Sequence, residues 1–224
     1  GSWKLEKRPA VQHPMSNIQH PAILLYTRFF EYDIARVIAV LLRVRQRIPQ
    51  ARLLVVGKGF AGEEEALLRL AAESGLSIEP NAPPITHHAS RITHHVTYFG
   101  WVPAETLPSY FALADVAIYP FDDTLVNRAK CSVKPLDLLA AGVPVVAEAV
   151  GQNREYIRHG ETGWLVEPGD VDAFADAVVR LLEDAGLRER LGQAAAHDVR
   201  ERFAWERLAQ VVERAYKAGV KRET

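Results

Sequence analysis

Arg128, Lys130 and Lys134 place three basic side chains close together, with the carboxylate of Asp137 one helical turn beyond Lys134. Cations gathered this tightly suit a multiply charged anion, and phosphate or diphosphate is the natural candidate. Ser132 stands where a helix N-cap is expected, and Pro135 suits the first helical turn. A helix beginning there presents free backbone N–H groups and a partial positive charge, which also favour a phosphate. At a spacing of three, Lys134 and Asp137 share a helix face. A carboxylate beside a bound phosphate could accept hydrogen bonds from the vicinal hydroxyls of a ribose. An ordinary capped helix with solvated charges has the same spacing, so these residues alone leave both readings open.

The elements around this stretch must bring it to a ligand. Short apolar runs at Ile23 to Tyr26, Arg52 to Val56, Val96 to Phe99, Val116 to Tyr119, Pro144 to Ala147 and Gly163 to Val166 read as strands. Between them lie helical patterns: Tyr32 to Arg47, Glu63 to Glu73, Ala104 to Leu113 and Pro135 to Ala141. Three more close the chain, at Val171 to Glu183, Leu187 to Phe203 and Trp205 to Ala218. Continuous rather than alternating apolar strands, separated by helices, predict a doubly wound α/β fold with a parallel sheet covered on both faces. In such a fold the ligand lies at the carboxyl ends of the strands. The Tyr119 to Glu155 stretch, leaving one strand and leading into the next, belongs at that edge.

Composition supports a globular chain and excludes several classes. Of 224 residues, 48% are hydrophobic and 25% charged, close to globular averages, and the net charge is -1. That balance provides no general footprint for nucleic acid or for an anionic membrane. Neither of the longest apolar runs, Ala22 to Tyr26 and Leu138 to Ala147, is long enough to cross a bilayer. The single cysteine, Cys131, precludes an intrachain disulfide and reads as a small packing residue. Trp164 and Trp205 read as core or helix-packing aromatics. A cytoplasmic location is expected.

Residues 1–20 are polar and aperiodic and read as a linker or cloning remnant, leaving 21–220 as one Rossmann-like domain. Residues 77–95 form a proline- and histidine-rich loop insertion, in which Ile-Thr-His-His occurs at Ile85 to His88 and again at Ile92 to His95. Four histidines could ligate a divalent metal if the loop folded back on itself, but no carboxylate or cysteine closely supplements them. No metal is therefore expected.

Several stretches, in order and in spacing, resemble one family. The segment from Lys134 through Asp137 and Gly142 to Ala147, KPLDLLAAGVPVVA, is similar to the donor-site helix and following strand of retaining GT-B glycosyltransferases of group 1, also called family 4. Leu54 to Gly59, Val96 to Pro103, Leu113 to Val116, Gly151 to Glu155, His159 to Val166 and Phe203 to Trp205 resemble other segments of that family. The resemblance implies the C-terminal, donor-binding domain of an enzyme that moves a hexose from a nucleoside-diphosphate sugar to an acceptor hydroxyl. The donor would be a UDP-, GDP- or ADP-sugar, with no further cofactor. The partner would be an N-terminal acceptor-binding domain that this chain lacks, and any membrane association would run through that domain.

By the same resemblance, Arg28 corresponds to a diphosphate-binding arginine, and Arg28 with Lys134 would stabilise the departing diphosphate. The backbone at Ser132 and Val133 would contact the diphosphate, with Lys130 adding charge. Asp137 would hold the ribose, and Trp101 and Val102 would pack against the nucleobase. Without the resemblance, Arg28 reads as a solvated charge and Trp101 as a packing aromatic.

Three positions depart from the family pattern. Asp33 stands where a lysine is frequent, Ala129 where a sugar-contacting glutamate is expected, and Asp137 is an aspartate in place of glutamate. Lys130 or Lys134 could restore the missing positive charge, and Asp122 or Asp123 could reach the sugar instead of Ala129. Two other readings stay open. One is a non-catalytic nucleotide or sugar-nucleotide binding module acting with a partner chain, and the other is a GT-B-shaped sugar-nucleotide epimerase, whose acidic and histidine signatures are not apparent.

Overall fold

The computed structural model describes residues 20–85 and 92–220, with the backbone alone at 219 and 220. Seven strands form one parallel sheet. They are β1 (Ala22–Thr27), β2 (Arg52–Gly57), β3 (Ile78–Glu79), β4 (Val96–Tyr98), β5 (Val116–Tyr119), β6 (Val145–Glu148) and β7 (Trp164–Val166). The spatial order is β3-β4-β2-β1-β5-β6-β7. β1 is central, pairing Ala22 with Arg52 on one side and Ile23 with Val116 on the other. The order of strands reverses between β1 and β5, which makes this the topological switch point where such sheets open a ligand crevice.

Alternate residues of β1, β2, β5 and β6 enter two separate cores, as the strand period of two requires. Ile23, Leu25, Leu53, Val55, Val116 and Ile118 pack on one face with α1 (Ile34–Arg47), α2 (Glu63–Glu73) and α7 (Val171–Glu183). Leu24, Leu54, Ala117, Tyr119 and Val145 pack on the other with α3 (Leu107–Phe111), α5 (Lys134–Ala140) and α8 (Ala185–Arg202). Burial on both faces explains the unbroken apolar strands.

Three long helices start where the chain supplies a cap. Asp33, Asp170 and Asp184 accept from backbone N–H groups at the starts of α1, α7 and α8. The aspartate at position 33 is therefore a helix cap, its Oδ1 3.0 Å from the Ala35 nitrogen.

Other elements depart from the expected ones. Residues Ala104–Thr106 form a 3-10 turn before the short α3, because Pro103 and Pro108 interrupt the helix. The polar stretch after β5 contains a short helix, α4 (Leu125–Ala129), capped by the Thr124 hydroxyl. Another short helix, α6 (Asn153–Tyr156), precedes β7.

The 77–95 segment contributes β3, which pairs with β4. His95 Nδ1 accepts from the Ser77 nitrogen at 3.1 Å, and His94 lies 3.6 Å from Glu79. His87 and His88 lie outside the described residues. Among the described residues, no group of three or more metal-ligating side chains converges, and no helix is long and apolar enough to cross a membrane.

Trp205, expected to be packed, begins α9 (Trp205–Val220) and is 82% exposed. Trp164 is half-buried, between the His159 ring and the Arg180 guanidinium.

Candidate functional site

A cleft of about 450 Å³ opens at the carboxyl ends of β1, β2 and β4, closed on the far side by residues 130–134 and α5. Its walls hold the eight residues to which the family resemblance gave a role: Arg28, Trp101, Val102, Lys130, Ser132, Val133, Lys134 and Asp137. These residues lie on three separate chain segments, so the sheet edge is what assembles them.

The β1–β2 wall depends on one glycine. Gly57 has φ +136°, and a Cβ there would lie 1.8 Å from the Thr27 carbonyl oxygen. No other residue permits the ends of β1 and β2 to approach so closely. Beyond Thr27 the chain turns sharply. Phe29, buried, takes φ 70°, and its N–H donates to Thr27 Oγ1 at 2.9 Å. The Thr27 hydroxyl in turn donates to Tyr32 Oη at 2.9 Å. This turn sets Arg28 and Phe30 facing the cleft and buries Phe29 beneath it.

The cations rest on aromatic faces. The Arg28 guanidinium carbon lies 4.4 Å from the Phe60 ring centroid, Lys130 Nζ 4.3 Å from that of Phe30, and the two rings are 5.2 Å apart. Such contacts hold a cation in place while leaving hydrogen-bond donors available. Arg28 Nε is buried and has no hydrogen-bond partner. Lys134 Nζ lies 5.9 Å from the Tyr26 ring.

Burial lowers the pKa of Lys134 below the usual lysine range, an effect that the Glu31 carboxylate partly opposes. Burial likewise raises the pKa of Asp137, with Lys134 pulling it back. Burial also raises Tyr26, to which Asp137 adds. The half-buried Lys134 and Asp137 thus stabilise each other's charged forms in a partly dry cleft.

Ser132 differs from its expected part. It does not cap α5. The cap position belongs to Val133, without a side-chain hydrogen bond, and Ser132 Oγ lies 2.6 Å from Tyr119 Oη in a buried pair. The hydroxyl is occupied in the core, which leaves the backbone of Ser132 and Val133 along the cleft. The uncapped first turn of α5 has N–H groups without side-chain acceptors. Cys131, expected as a packing residue, is exposed on the cleft wall with its Sγ 3.2 Å from Tyr156 Oη.

Of the stand-ins for the departed family residues, Lys130 and Lys134 do line the cleft. Asp122 and Asp123 do not. Asp122 pairs with Arg36, and Asp123 receives two hydrogen bonds from Arg128, at 2.5 and 2.7 Å. Arg128 is thereby turned away from the anion site with which its spacing had grouped it.

Sequence reasoning missed Glu31, Phe30, Phe60 and Lys58. Phe30, Phe60 and Lys58 line the cleft, and Glu31, 1% exposed, bonds to Lys130 from behind it. The available signal was a lone acid inside the apolar run Phe29-Phe30-Glu31-Tyr32, since a charge enclosed by aromatics is rarely solvated.

Residues 21–184 match the family model described as "Glycosyl transferases group 1". A curated relative from Mycobacterium tuberculosis, described as a GDP-mannose-dependent alpha-(1-6)-phosphatidylinositol monomannoside mannosyltransferase, is 33% identical over 171 residues, which cover 74% of this chain and 39% of the relative. The D-inositol 3-phosphate glycosyltransferase of Pseudarthrobacter chlorophenolicus is 30% identical over 186 residues, covering 82% of this chain and 39% of the relative. The sucrose-phosphate synthase structure from Thermosynechococcus elongatus superposes with a TM-score of 0.69 at 26% identity, over 91% of this chain and 46% of that one. The chain thus spans less than half the length of these relatives.

Proposed function

Since the chain belongs to the group 1 glycosyl transferases, we propose that its cleft is the donor site of a retaining hexosyltransferase that uses a nucleoside-diphosphate sugar. One observation carries this reading. Arg28, Lys130 and Lys134 converge with Asp137 on a single cleft at the topological switch point of a parallel sheet. The similarity to a GDP-mannose-dependent relative supports a nucleotide-sugar donor.

In this reading Asp137 accepts from the ribose hydroxyls, and Trp101 and Val102 flank the base. Arg28, Lys130, Lys134 and the backbone at Ser132 and Val133 hold the diphosphate. As the sugar–oxygen bond lengthens, charge builds on the departing diphosphate. Cations already oriented in a half-dry cleft stabilise that charge more than they stabilise the intact donor. The anomeric carbon, left cationic, bonds to the acceptor oxygen, and the hydroxyl proton passes to the departed diphosphate. Acceptor binding falls to a second domain, in keeping with the share of the relatives that this chain spans.

Calorimetry of the chain with UDP, GDP and ADP tests the site. Binding of at least one at micromolar to millimolar concentration is expected, and no binding of any would overturn the donor reading. A non-catalytic nucleotide-binding module is the second reading, favoured by Ala129, which offers no carboxylate to a sugar while Asp122 and Asp123 are engaged elsewhere. Transfer or hydrolysis of a nucleotide sugar, assayed with the chain joined to an acceptor domain, separates the two.

A further inference from the structure

Glu31 is buried to 1% exposure behind the cleft, yet its side chain is only half satisfied. Oε1 accepts from Lys130 Nζ, and Oε2 has no hydrogen-bond partner. Its main chain is tied down as well, because the Glu31 carbonyl accepts from the Asp122 nitrogen at 2.9 Å and from Asn127 Nδ2 at 2.7 Å. A buried carboxylate is unfavourable unless a cation faces it. The cation here is a lysine from a segment 99 residues away, and its ammonium also rests on the Phe30 ring. An ammonium has three N–H donors. One is directed to Glu31, and Lys130 lines the cleft into which the others can reach.

We propose that Glu31 is a positioning residue for the donor diphosphate, anchoring the Lys130 ammonium at the cleft wall so that its remaining donors meet a phosphate oxygen. This rests on the reading of the cleft as a diphosphate site. A lysine on a free surface loses its rotamer freedom when an anion binds, whereas one already held by a buried carboxylate and an aromatic face has lost it beforehand. The arrangement also answers for position 33, where the aspartate is committed to capping α1 and no cation is present. Lys130 supplies the charge from the opposite wall, and Glu31 determines where that charge sits.

The sign of one substitution separates this from mere proximity. A carboxylate that only neighboured the site would repel the ligand, so Glu31→Gln would tighten binding of an anion. A positioning carboxylate gives the reverse. With UDP, GDP or ADP, whichever binds the native chain most tightly, Glu31→Gln should weaken binding about tenfold, the scale of coupling between residues in contact. In a Lys130→Met background the same change should cause no weakening. Tighter or equal binding by Glu31→Gln alone would overturn the inference, as would equal weakening in both backgrounds.

A crystal structure of the native chain with the same nucleotide keeps the test independent of whether the variants fold. Lys130 Nζ should then contact both Glu31 and a phosphate oxygen, and its contacting no phosphate oxygen would overturn the inference with the donor reading intact. Failure of every nucleotide to bind the native chain would instead overturn the donor reading, and this inference with it.

Discussion

Two buried glutamates lie beneath the same sheet edge and are treated in opposite ways. Glu148, at the end of β6, is fully buried, and both of its oxygens are occupied. Oε1 accepts from the Gly169 nitrogen at 2.7 Å, while Oε2 accepts from the Phe121 nitrogen at 2.5 Å and from Arg36 at 3.2 Å. Arg36 also pairs with Asp122, so one cluster joins α1, the exit of β5 and the approach to α7. Glu31 has one partner on one oxygen and nothing on the other. The two clusters even share a segment, since Phe121 donates its N–H to Glu148 and Asp122 donates its own to the Glu31 carbonyl. A saturated buried carboxylate fastens elements together, whereas Glu31 spends its one side-chain hydrogen bond on a lysine that lines the cleft. Burial still raises the Glu148 pKa, its hydrogen bonds and Arg36 opposing that rise.

The largest expected effect comes from the saturated cluster. Glu148→Ala strands two backbone N–H groups and leaves Arg36 paired with Asp122 alone, and should lower unfolding stability by about 3–5 kcal/mol, the cost of breaking a buried pair. Urea unfolding measures this loss. Nucleotide affinity, taken well below the melting temperature, should stay within about twofold of native. An affinity loss without a stability loss would erase the contrast between the two carboxylates.

Next in size is Arg28→Ala on the cleft side. Removing a charge-assisted contact to the diphosphate should weaken nucleotide binding by about 1.5–3 kcal/mol while leaving the urea midpoint near native. A large stability loss with unchanged affinity would instead move Arg28 to the structural side.

Asp33→Ala should lower stability by about 1 kcal/mol through the lost α1 cap. It should not change nucleotide affinity, and a calorimetric change would return position 33 to the site.

The smallest effect is a pH limb. Lys134 has a folded pKa below the ordinary lysine value of 10.5, chiefly through burial, with Glu31 and Asp137 opposing and Lys130 and Arg28 adding to the shift. Below 10.5 the unfolded chain keeps its proton while the folded lysine loses it, so between the lowered value and 10.5 this group makes stability rise with pH. Diphosphate affinity should fall over the same window as the cleft loses a charge. In Lys134→Arg that fall should move to higher pH, because a guanidinium keeps its proton there. Calorimetric titration from neutral to alkaline pH measures the limb, and an unmoved limb would assign it to another group.

Much of the fold was legible because its determinants are local. Apolar runs buried on both faces read as parallel strands, and the cleft followed from where such a sheet places its ligand. The short helices α4 and α6 were not legible, since a handful of residues carries too little periodicity and tertiary contacts hold them. Arg28 and Trp101 looked unremarkable as single residues and became candidates only through family resemblance. Ser132 shows the limit of a local rule. Its position suited a cap, but a tyrosine thirteen residues earlier in the chain competed for the hydroxyl and won.

What the sequence determined by itself is therefore the doubly wound sheet, the cleft at the carboxyl ends of its strands, and the segments that meet there. What only the tertiary structure decided is which charges are spent on architecture and which remain for a ligand. Arg128, Asp122 and Asp123 went to ion pairs away from the cleft, Asp33 to a cap, and Lys130 to a buried acid 99 residues distant. The physical reason is that a charge's role depends on burial and on its partner's distance. Neither exists until segments far apart in the chain are pressed against each other.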